Sequence, residues 1–172
     1  MLRIEIADLS DIPAIASRIY RTTRSAFYEY ASDVPPPGAL TDTPRDVEED
    51  LKAGSQALLA VLADSGRVAG VVRWRVVKGQ LHFHRLAVIP SERRKGVASA
   101  LLKALIAEAQ RQRCTSIACD VRIGVSRNVA LYETFGFVHM GERIITRGGF
   151  TVRLGVMTLP IDRDTTEFGK GE

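Results

Sequence analysis

"VIPSERRKGVASALLKAL", residues 88–105, places a strand end, three consecutive basic residues, a glycine and an apolar-periodic helix next to one another. A helix start exposes backbone N–H groups without partners and carries the positive end of the helix dipole, so it suits an anion. Gly96 allows a ligand close to the backbone, and Arg93, Arg94 and Lys95 add positive charge. The stretch predicts a strand–turn–helix unit that binds phosphate, although basic residues also precede many helices as ordinary caps.

Two other phosphate-binding patterns are missing from the sequence. It contains neither G-x-x-x-x-G-K-[ST] nor G-x-G-x-x-G. Both patterns place glycines where a backbone must wrap a nucleotide phosphate. A nucleotide hydrolase or a dinucleotide-binding fold is therefore disfavoured.

The chain around this unit alternates between period-two and helical patterns, which predicts a mixed α/β domain. The predicted order is β-α-α-β-β-β-α-β-α-β-β, a mostly antiparallel central sheet of about seven strands flanked by helices. One domain is expected over residues 1–160, followed by a charged, flexible tail over 161–172. The predicted elements are a strand at 2–6, a helix from 12 to about 30, a loop at 34–41, a helix at 43–54, strands at 56–63, 68–77 and 81–88, a helix at 95–113, a strand at 116–121, a helix at 128–135 and a hairpin at 138–146 and 150–159.

The composition is that of a soluble globular protein, with 45% hydrophobic and 26% charged residues in 172. The longest aliphatic run, 57–63, is far shorter than the ~20 residues that span a bilayer, and the first residues lack the apolar centre of a signal peptide. We therefore expect a cytoplasmic protein without a membrane partner. Cys114 and Cys119 match no zinc or redox spacing and are expected to be reduced packing thiols.

The charges are unevenly distributed. Residues 67–113 hold eleven Lys or Arg against two acids, whereas residues 29–50 hold seven acids against one arginine. A basic half can bind an anion and an acidic half a cation, although two solvated faces would show the same pattern. The net charge of +4 alone does not indicate nucleic acid, because the chain shows neither a reading helix nor an aromatic-interleaved sheet.

Two stretches resemble the GNAT superfamily of acetyl-CoA-dependent N-acetyltransferases. "LAVIPSERRKGVASALL", residues 86–102, resembles motif A, [RQ]-x-x-G-x-[GA] after a strand, with Arg93, Gly96 and Ala98 at its positions. "RNVALYETFGFV", residues 127–138, resembles motif B, in which a short helix bears a tyrosine shortly before a Gly-Phe pair. The resemblance covers about residues 2–160 and implies acetyl-CoA as co-substrate and no metal.

The resemblance also implies which residues hold the co-substrate. The backbone of Leu86, Ala87 and Val88 would pair with the pantetheine arm. Many relatives carry an asparagine seven residues before the tyrosine, where this chain has Val125; Asn128 matches a variant of the motif and is the candidate contact here. The pyrophosphate would lie on backbone N–H groups of Arg93, Arg94, Lys95, Gly96, Val97, Ala98 and Ser99.

The resemblance further implies that Tyr132 lies near the thioester sulfur and protonates the leaving thiolate, although a packing role is the alternative. The backbone N–H of Val88 is the implied oxyanion donor. His84 stands where relatives often carry a carboxylate, so it is the candidate base; Asp120, a water chain and a purely structural His84 stay open. His82 shares a strand face with His84, but no third metal ligand stands at a recognisable spacing.

The acceptor amine is expected to enter beside the 27–45 segment, where Phe27, Tyr28, Tyr30 and Trp74 are candidate pocket residues, with core packing as the alternative role expected for most of them. Acids in this region favour a small cationic primary amine. Neither cysteine stands at a motif position, so direct transfer without an acetyl-enzyme is expected. The alternatives are an acetyl-CoA-binding sensor without transfer activity and a nucleic-acid-binding domain. Dimerisation through the last hairpin is a further expectation.

Overall fold

The computed structural model describes residues 1–123 and 127–162, which form seven strands and five helices. The strands are β1 (Leu2–Ile6), β2 (Gln56–Leu62), β3 (Val68–Val77), β4 (Gln80–Val88), β5 (Ser116–Arg122), β6 (Val138–Arg147) and β7 (Phe150–Pro160). The helices are α1 (Ile12–Phe27), α2 (Gly38–Thr41), α3 (Pro44–Lys52), α4 (Val97–Arg111) and α5 (Arg127–Thr134).

All strands belong to one sheet with the order β1-β2-β3-β4-β5-β7-β6. The pairs are antiparallel except for β4 with β5, which run parallel. The predicted mixed, mostly antiparallel sheet is thereby confirmed. The hairpin of β6 and β7 folds back so that β7, not β6, pairs with β5.

Two helices begin at residues where no helix start was predicted, each because of the local backbone. Gly38–Thr41 is a short helix inside the stretch predicted as a loop, because the run of prolines ends at Pro37, which precedes its first turn. The helix predicted to begin at Lys95 begins at Val97, because Gly96 has a φ of 81° and lies outside the right-handed region. The tail predicted from residue 161 lies, beyond Asp162, outside the described residues.

The sheet separates two apolar layers, since alternate side chains of a strand point to opposite faces. On one face, Leu101 and Leu105 of α4 pack with Trp74, Leu81 and Met157. On the other face, Ile19 of α1 and Val47 of α3 pack with Leu59, Val71 and Ala87. The end of β4 therefore lies between the α4 layer and the α1–α3 layer.

Candidate active site

The strands β4 and β5 separate after a short stretch of pairing. Their register covers Gln80 with Ser116, Leu81 with Ile117 and His82 with Ala118. Beyond His82, the β5-facing backbone groups of β4 line an open gap. On the other edge of β4, the N–H of Ile89 donates to the carbonyl of Ala69 at 2.9 Å.

The Val88 backbone points into this gap. Val88 stands opposite Gly70, next to the hydrogen-bonded pair of Ile89 and Ala69. Since hydrogen-bonded and non-hydrogen-bonded pairs alternate in an antiparallel ladder, the Val88 N–H faces away from β3. It is therefore free to donate to a group bound between β4 and β5.

A groove of about 660 Å³ extends from this gap to the start of α4. Its walls also include Ala26, Phe27 and Tyr30 at the end of α1, and Leu131 of α5. Of the predicted co-substrate residues, only Lys95 and Tyr132 do not line it. Those that do are Leu86, Ala87, Val88, Arg93, Arg94, Gly96, Val97, Ala98, Ser99 and Asn128. Val125, the position where relatives carry an asparagine, lies outside the described residues.

The turn before α4 forms a concave row of backbone amides. Arg94 has a φ of 59° and Gly96 a φ of 81°, so two left-handed residues bend the chain within one turn. In the described part of the chain, the N–H groups of residues 94–99 donate to no acceptor. Successive free amides at a helix start form an anion-binding concavity, which suits a pyrophosphate.

The three basic side chains of this turn differ in their partners. Arg93 donates to the carbonyl of Ala26 at 2.7 Å and pairs with Glu29 at 2.9 Å, so it connects the turn to α1. Lys95 pairs with Glu92 at 3.2 Å. Arg94 is exposed and makes no hydrogen bond or ion pair with a described residue. Arg94 is thus the side chain available to a phosphate, and Arg93 serves the fold.

Tyr132 lies on the α4 face of the sheet, and only 4% of its surface is exposed. Its ring contacts Phe83 edge-on, with centroids 5.5 Å apart, and Phe137 at 5.7 Å. Burial, and then the charge of Cys119, raises the pKa of Tyr132 well above its usual value. The hydroxyl is therefore protonated at neutral pH, as a general acid must be.

His84 lies on the opposite face, directed towards α3. Its Nε2 is 3.0 Å from Oδ2 of Asp50. Burial alone would raise the pKa of Asp50, but hydrogen bonds from His84 and Ser55 and the charges of His84 and Arg73 outweigh it, so this pKa is well below its usual range. Asp50 is thus an anion that holds one ring nitrogen of His84 and leaves the other free.

The other candidate base and the cysteines are less available. Asp120 forms an ion pair with Arg143, although it shares a pocket of about 350 Å³ with His84. Cys114 and Cys119 are free and buried, as predicted. Burial, and then the charge of Asp120, raises the pKa of Cys119 to about 12. A buried thiol with this pKa is not a nucleophile at neutral pH.

Two of the acids of residues 29–50, Asp42 and Asp50, pair with arginines of the sheet. Asp42 pairs with Arg73 at 3.4 Å and with Arg85 at 3.1 Å. Asp50 pairs with Arg73 at 2.7 Å and with Arg75 at 2.8 Å. Because both carboxylates already pair with arginines, their negative charge does not support a cationic acceptor.

The aromatic candidates for the acceptor pocket are dispersed. Phe27 and Tyr30 line the groove beside β4, and Tyr28 is exposed. Trp74 is 1% exposed and packs in the α4 layer, so of its two predicted roles it has the core-packing one and does not line the pocket. Trp74 lies between Arg73 and Arg75 on β3, and the two arginine side chains reach the opposite face of the sheet. The sequence "RWR" already showed this alternation.

The arginines of the α1–α3 face were not among the residues predicted from the sequence, and Asp50 was predicted only as one of the seven acids of residues 29–50. The alternation of Arg73 and Arg75 indicated a shared face, but their partners lie on α3 and before it, more than twenty residues away in the chain. In the described residues no group of three or more His, Cys, Asp or Glu is arranged to hold a metal ion. These residues also include no helix long and apolar enough to cross a membrane.

Residues 24–137 match the model of the acetyltransferase (GNAT) family. The [ribosomal protein bS18]-alanine N-acetyltransferase of Escherichia coli K12 is 30% identical over 113 residues, which cover 63% of this chain and 74% of that protein. The enzyme of the same name from Salmonella typhimurium is 29% identical over the same shares.

Solved structures share the fold over nearly the whole chain. The ribosomal-protein-S18-alanine N-acetyltransferase of Escherichia coli superimposes with a TM-score of 0.73 at 21% identity, covering 99% of this chain and 100% of that one. The yncA protein of Salmonella typhimurium, solved with its cofactor acetyl-CoA, gives 0.67 at 19% identity, with 98% and 99% covered.

Proposed function

Because this chain belongs to the acetyltransferase (GNAT) family and is an acyltransferase, we propose that it transfers the acetyl group of acetyl-CoA directly to a primary amine. The observation that carries the proposal is the groove beside the separated strands. It combines free amides at residues 94–99 with the inward-facing N–H of Val88.

The groove residues divide the binding of the co-substrate between them. Amides of residues 94–99 and the side chain of Arg94 suit the pyrophosphate. The β4 backbone at Leu86 and Val88 suits the amide groups of the pantetheine arm, as an added strand would. Asn128 lies on the same wall and can bind the arm from α5. Lys95, which pairs with Glu92, is left with at most a long-range electrostatic role.

Tyr132 and Val88 serve the transfer step. The Val88 N–H can donate to the oxyanion that forms as the amine attacks the carbonyl carbon. The protonated phenol of Tyr132 can give its proton to the departing sulfur. The attacking amine forms the new C–N bond, the C–S bond breaks, and the amine proton leaves through a base.

His84 is the proposed base, because Asp50 holds Nε2 and leaves Nδ1 to accept a proton. We expect His84→Gln to lower kcat about tenfold to a hundredfold, at or below the lower end of the usual range for a general base, because water can partly replace it. Steady-state kinetics at saturating acetyl-CoA measures this. His82→Gln, on the same strand face, is the matched control, and an equal loss in both variants would contradict the assignment.

Two observations bear on the class of the acceptor. The expected small cationic amine depended on acids that pair with Arg73, Arg75 and Arg85. The Escherichia coli relative is named for an alanine of a ribosomal protein, which supports the α-amine of a peptide as an acceptor. We therefore propose a primary amine without an additional cationic group as the preferred acceptor.

An acetyl-CoA turnover assay tests the function. The panel should contain polyamines, free amino acids and peptides with free N-termini, with release of the CoA thiol as the readout. Turnover of at least one amine is expected. Tight binding of acetyl-CoA without turnover of any acceptor would instead support the sensor alternative.

We also propose a cytoplasmic location and a homodimer. Two buried, unpaired cysteines fit a reducing compartment. β6 is an edge strand of the sheet, so its unpaired backbone edge can pair with that of a second copy. Val138, Met140 and Ile144 are exposed along this strand. Sedimentation velocity tests the dimer, and a monomer at micromolar concentration would contradict it.

A further inference from the structure

A cluster of five arginines lies on the face of the sheet that carries α1, α2 and α3. Asp42 and Asp50 are shared among three of them, Arg73, Arg75 and Arg85. The other two, Arg122 and Arg147, stand at the ends of β5 and β6. Within the described part of the chain, Arg122 has only a long contact with Asp33, at 3.9 Å. Arg147 has no carboxylate within ion-pair distance among the described residues.

Gly38 shows how closely two of these guanidinium groups approach. A Cβ atom placed on Gly38 would lie 2.8 Å from Nη2 of Arg85 and 2.9 Å from Nη1 of Arg147. Both groups therefore lie against the Gly38 backbone, within about 6 Å of each other. Like charges at this separation repel unless an anion lies between them.

The electrostatics of Arg147 agree with this geometry. Burial lowers the pKa of Arg147, and the positive charges of Arg85 and Arg122 lower it further, while Asp42 alone raises it. Asp42 is already bound by the Nε of Arg85 at 3.1 Å and by Arg73 at 3.4 Å. The cluster thus has more positive charge than its own carboxylates neutralise.

The position of Arg85 connects the cluster to the proposed base. Arg85 directly follows His84, at the irregularity where the register of β3 and β4 shifts. Its φ of 55° is rare for a residue with a side chain, and backbone strain of this kind concentrates at functional sites. His84 and Arg85 consequently both reach the α3 side, to Asp50 and Asp42 respectively.

From this arrangement we propose that Arg85, Arg122 and Arg147 bind an anionic group of the acceptor, a carboxylate close to the amine that is acetylated. The inference rests on the proposed transfer to a primary amine and adds the charge of the acceptor. Guanidinium groups bind carboxylates through paired, charge-assisted hydrogen bonds. The carboxylate belongs either to a free amino acid or to an acidic side chain near a peptide N-terminus.

The test compares acceptors that differ in one carboxylate. One pair is alanine and alaninamide; the other is a peptide that begins alanyl-aspartyl and its alanyl-asparaginyl twin. For each pair, the ratio of kcat/KM values is measured in the wild type and in Arg147→Gln. Comparing the ratio between the two proteins cancels the different basicity of the two amines.

We expect Arg147→Gln to reduce the preference for the carboxylate member about tenfold to a hundredfold in at least one pair. kcat/KM for the neutral member should change less than twofold. Arg147→Lys, which keeps the charge but not the planar fork, should retain part of the preference. A response of the alanine pair indicates the carboxylate of a free amino acid, and a response of the peptide pair indicates an acidic side chain near a peptide N-terminus.

Arg153→Gln is the matched control, since Arg153 lies on the same hairpin and pairs with exposed Glu142. An unchanged ratio in both acceptor pairs, with turnover intact, would overturn the anion site and leave the acetyltransferase function standing. Turnover of no acceptor at all would overturn the proposed function and this inference together.

Discussion

Replacing Tyr132 by phenylalanine should lower kcat about 10²-fold to 10⁴-fold, the usual contribution of a general acid. The substitution removes only the hydroxyl and keeps the ring contacts with Phe83 and Phe137. Since burial raises the pKa of Tyr132, the lost group is a protonated phenol that can give its proton to a thiolate. The dissociation constant of acetyl-CoA should change less than twofold.

Steady-state kinetics measures kcat, and isothermal titration calorimetry measures the dissociation constant of acetyl-CoA. Tyr20→Phe removes the same hydroxyl from α1, on the other face of the sheet, and should leave kcat unchanged. If kcat of Tyr132→Phe equals that of the wild type, Tyr132 is a packing residue and another group protonates the sulfur. A parallel loss of acetyl-CoA affinity would point to damaged packing of α5.

Replacing Asp50 by asparagine should lower the free energy of unfolding by about 3–5 kcal/mol at pH 7, the cost of removing one partner of a buried ion pair. The Arg73 side chain is 4% exposed and lies 2.7 Å from Asp50. Without Asp50, Arg73 keeps one ion pair, the longer contact with Asp42 at 3.4 Å, and its Nε already has no partner in the described part of the chain. Urea denaturation measures the loss.

The same pair predicts a pH dependence. The pKa of Asp50 is lowered in the folded protein from 3.8, so its stabilising contribution is complete above that value and is lost as the pH falls below it. The difference between wild type and Asp50→Asn should therefore be large at pH 7 and shrink below about pH 4. A difference independent of pH would show that packing, not charge, stabilises this contact.

Glu49→Gln on the same helix is the control for the amide substitution. Glu49 is 62% exposed and pairs with Arg45, which is 86% exposed. Exposed pairs contribute about 0–1 kcal/mol, so the unfolding free energy should change little. The difference between the unfolding free energies of Asp50→Asn and Glu49→Gln shows how much more a buried ion pair contributes than an exposed one.

The main features of the fold were predictable because they depend on local patterns. Alternation predicted the first strand, and apolar runs between turn residues predicted the three central ones. Pro44 after Thr43 predicted the start of α3, where Thr43 and Asp46 form a capping box. The exchange of β6 and β7 was not predictable. A hairpin shows the same alternation whichever of its two strands pairs with β5.

The amide row at residues 94–99 was predictable, because consecutive residues determine it. Gly96 adopts the left-handed conformation before α4, and the free N–H groups follow from the helix start itself. The charges around the turn were less predictable. Arg93 binds Ala26 and Glu29, far away in the chain, so only Arg94 of the three bases is left without a partner among the described residues.

The strand–turn–helix unit of residues 88–105 and its suitability for a phosphate follow from consecutive residues, because these set the backbone dihedrals and leave the first helical amides unpaired. The charge beside the proposed acceptor site depends instead on contacts between distant elements. Asp42 and Asp50 predicted a cation site when read along the chain. Packing of α3 against β3 and β4 brings them to Arg73, Arg75 and Arg85, and at these distances Coulomb attraction makes the acids partners of the fold.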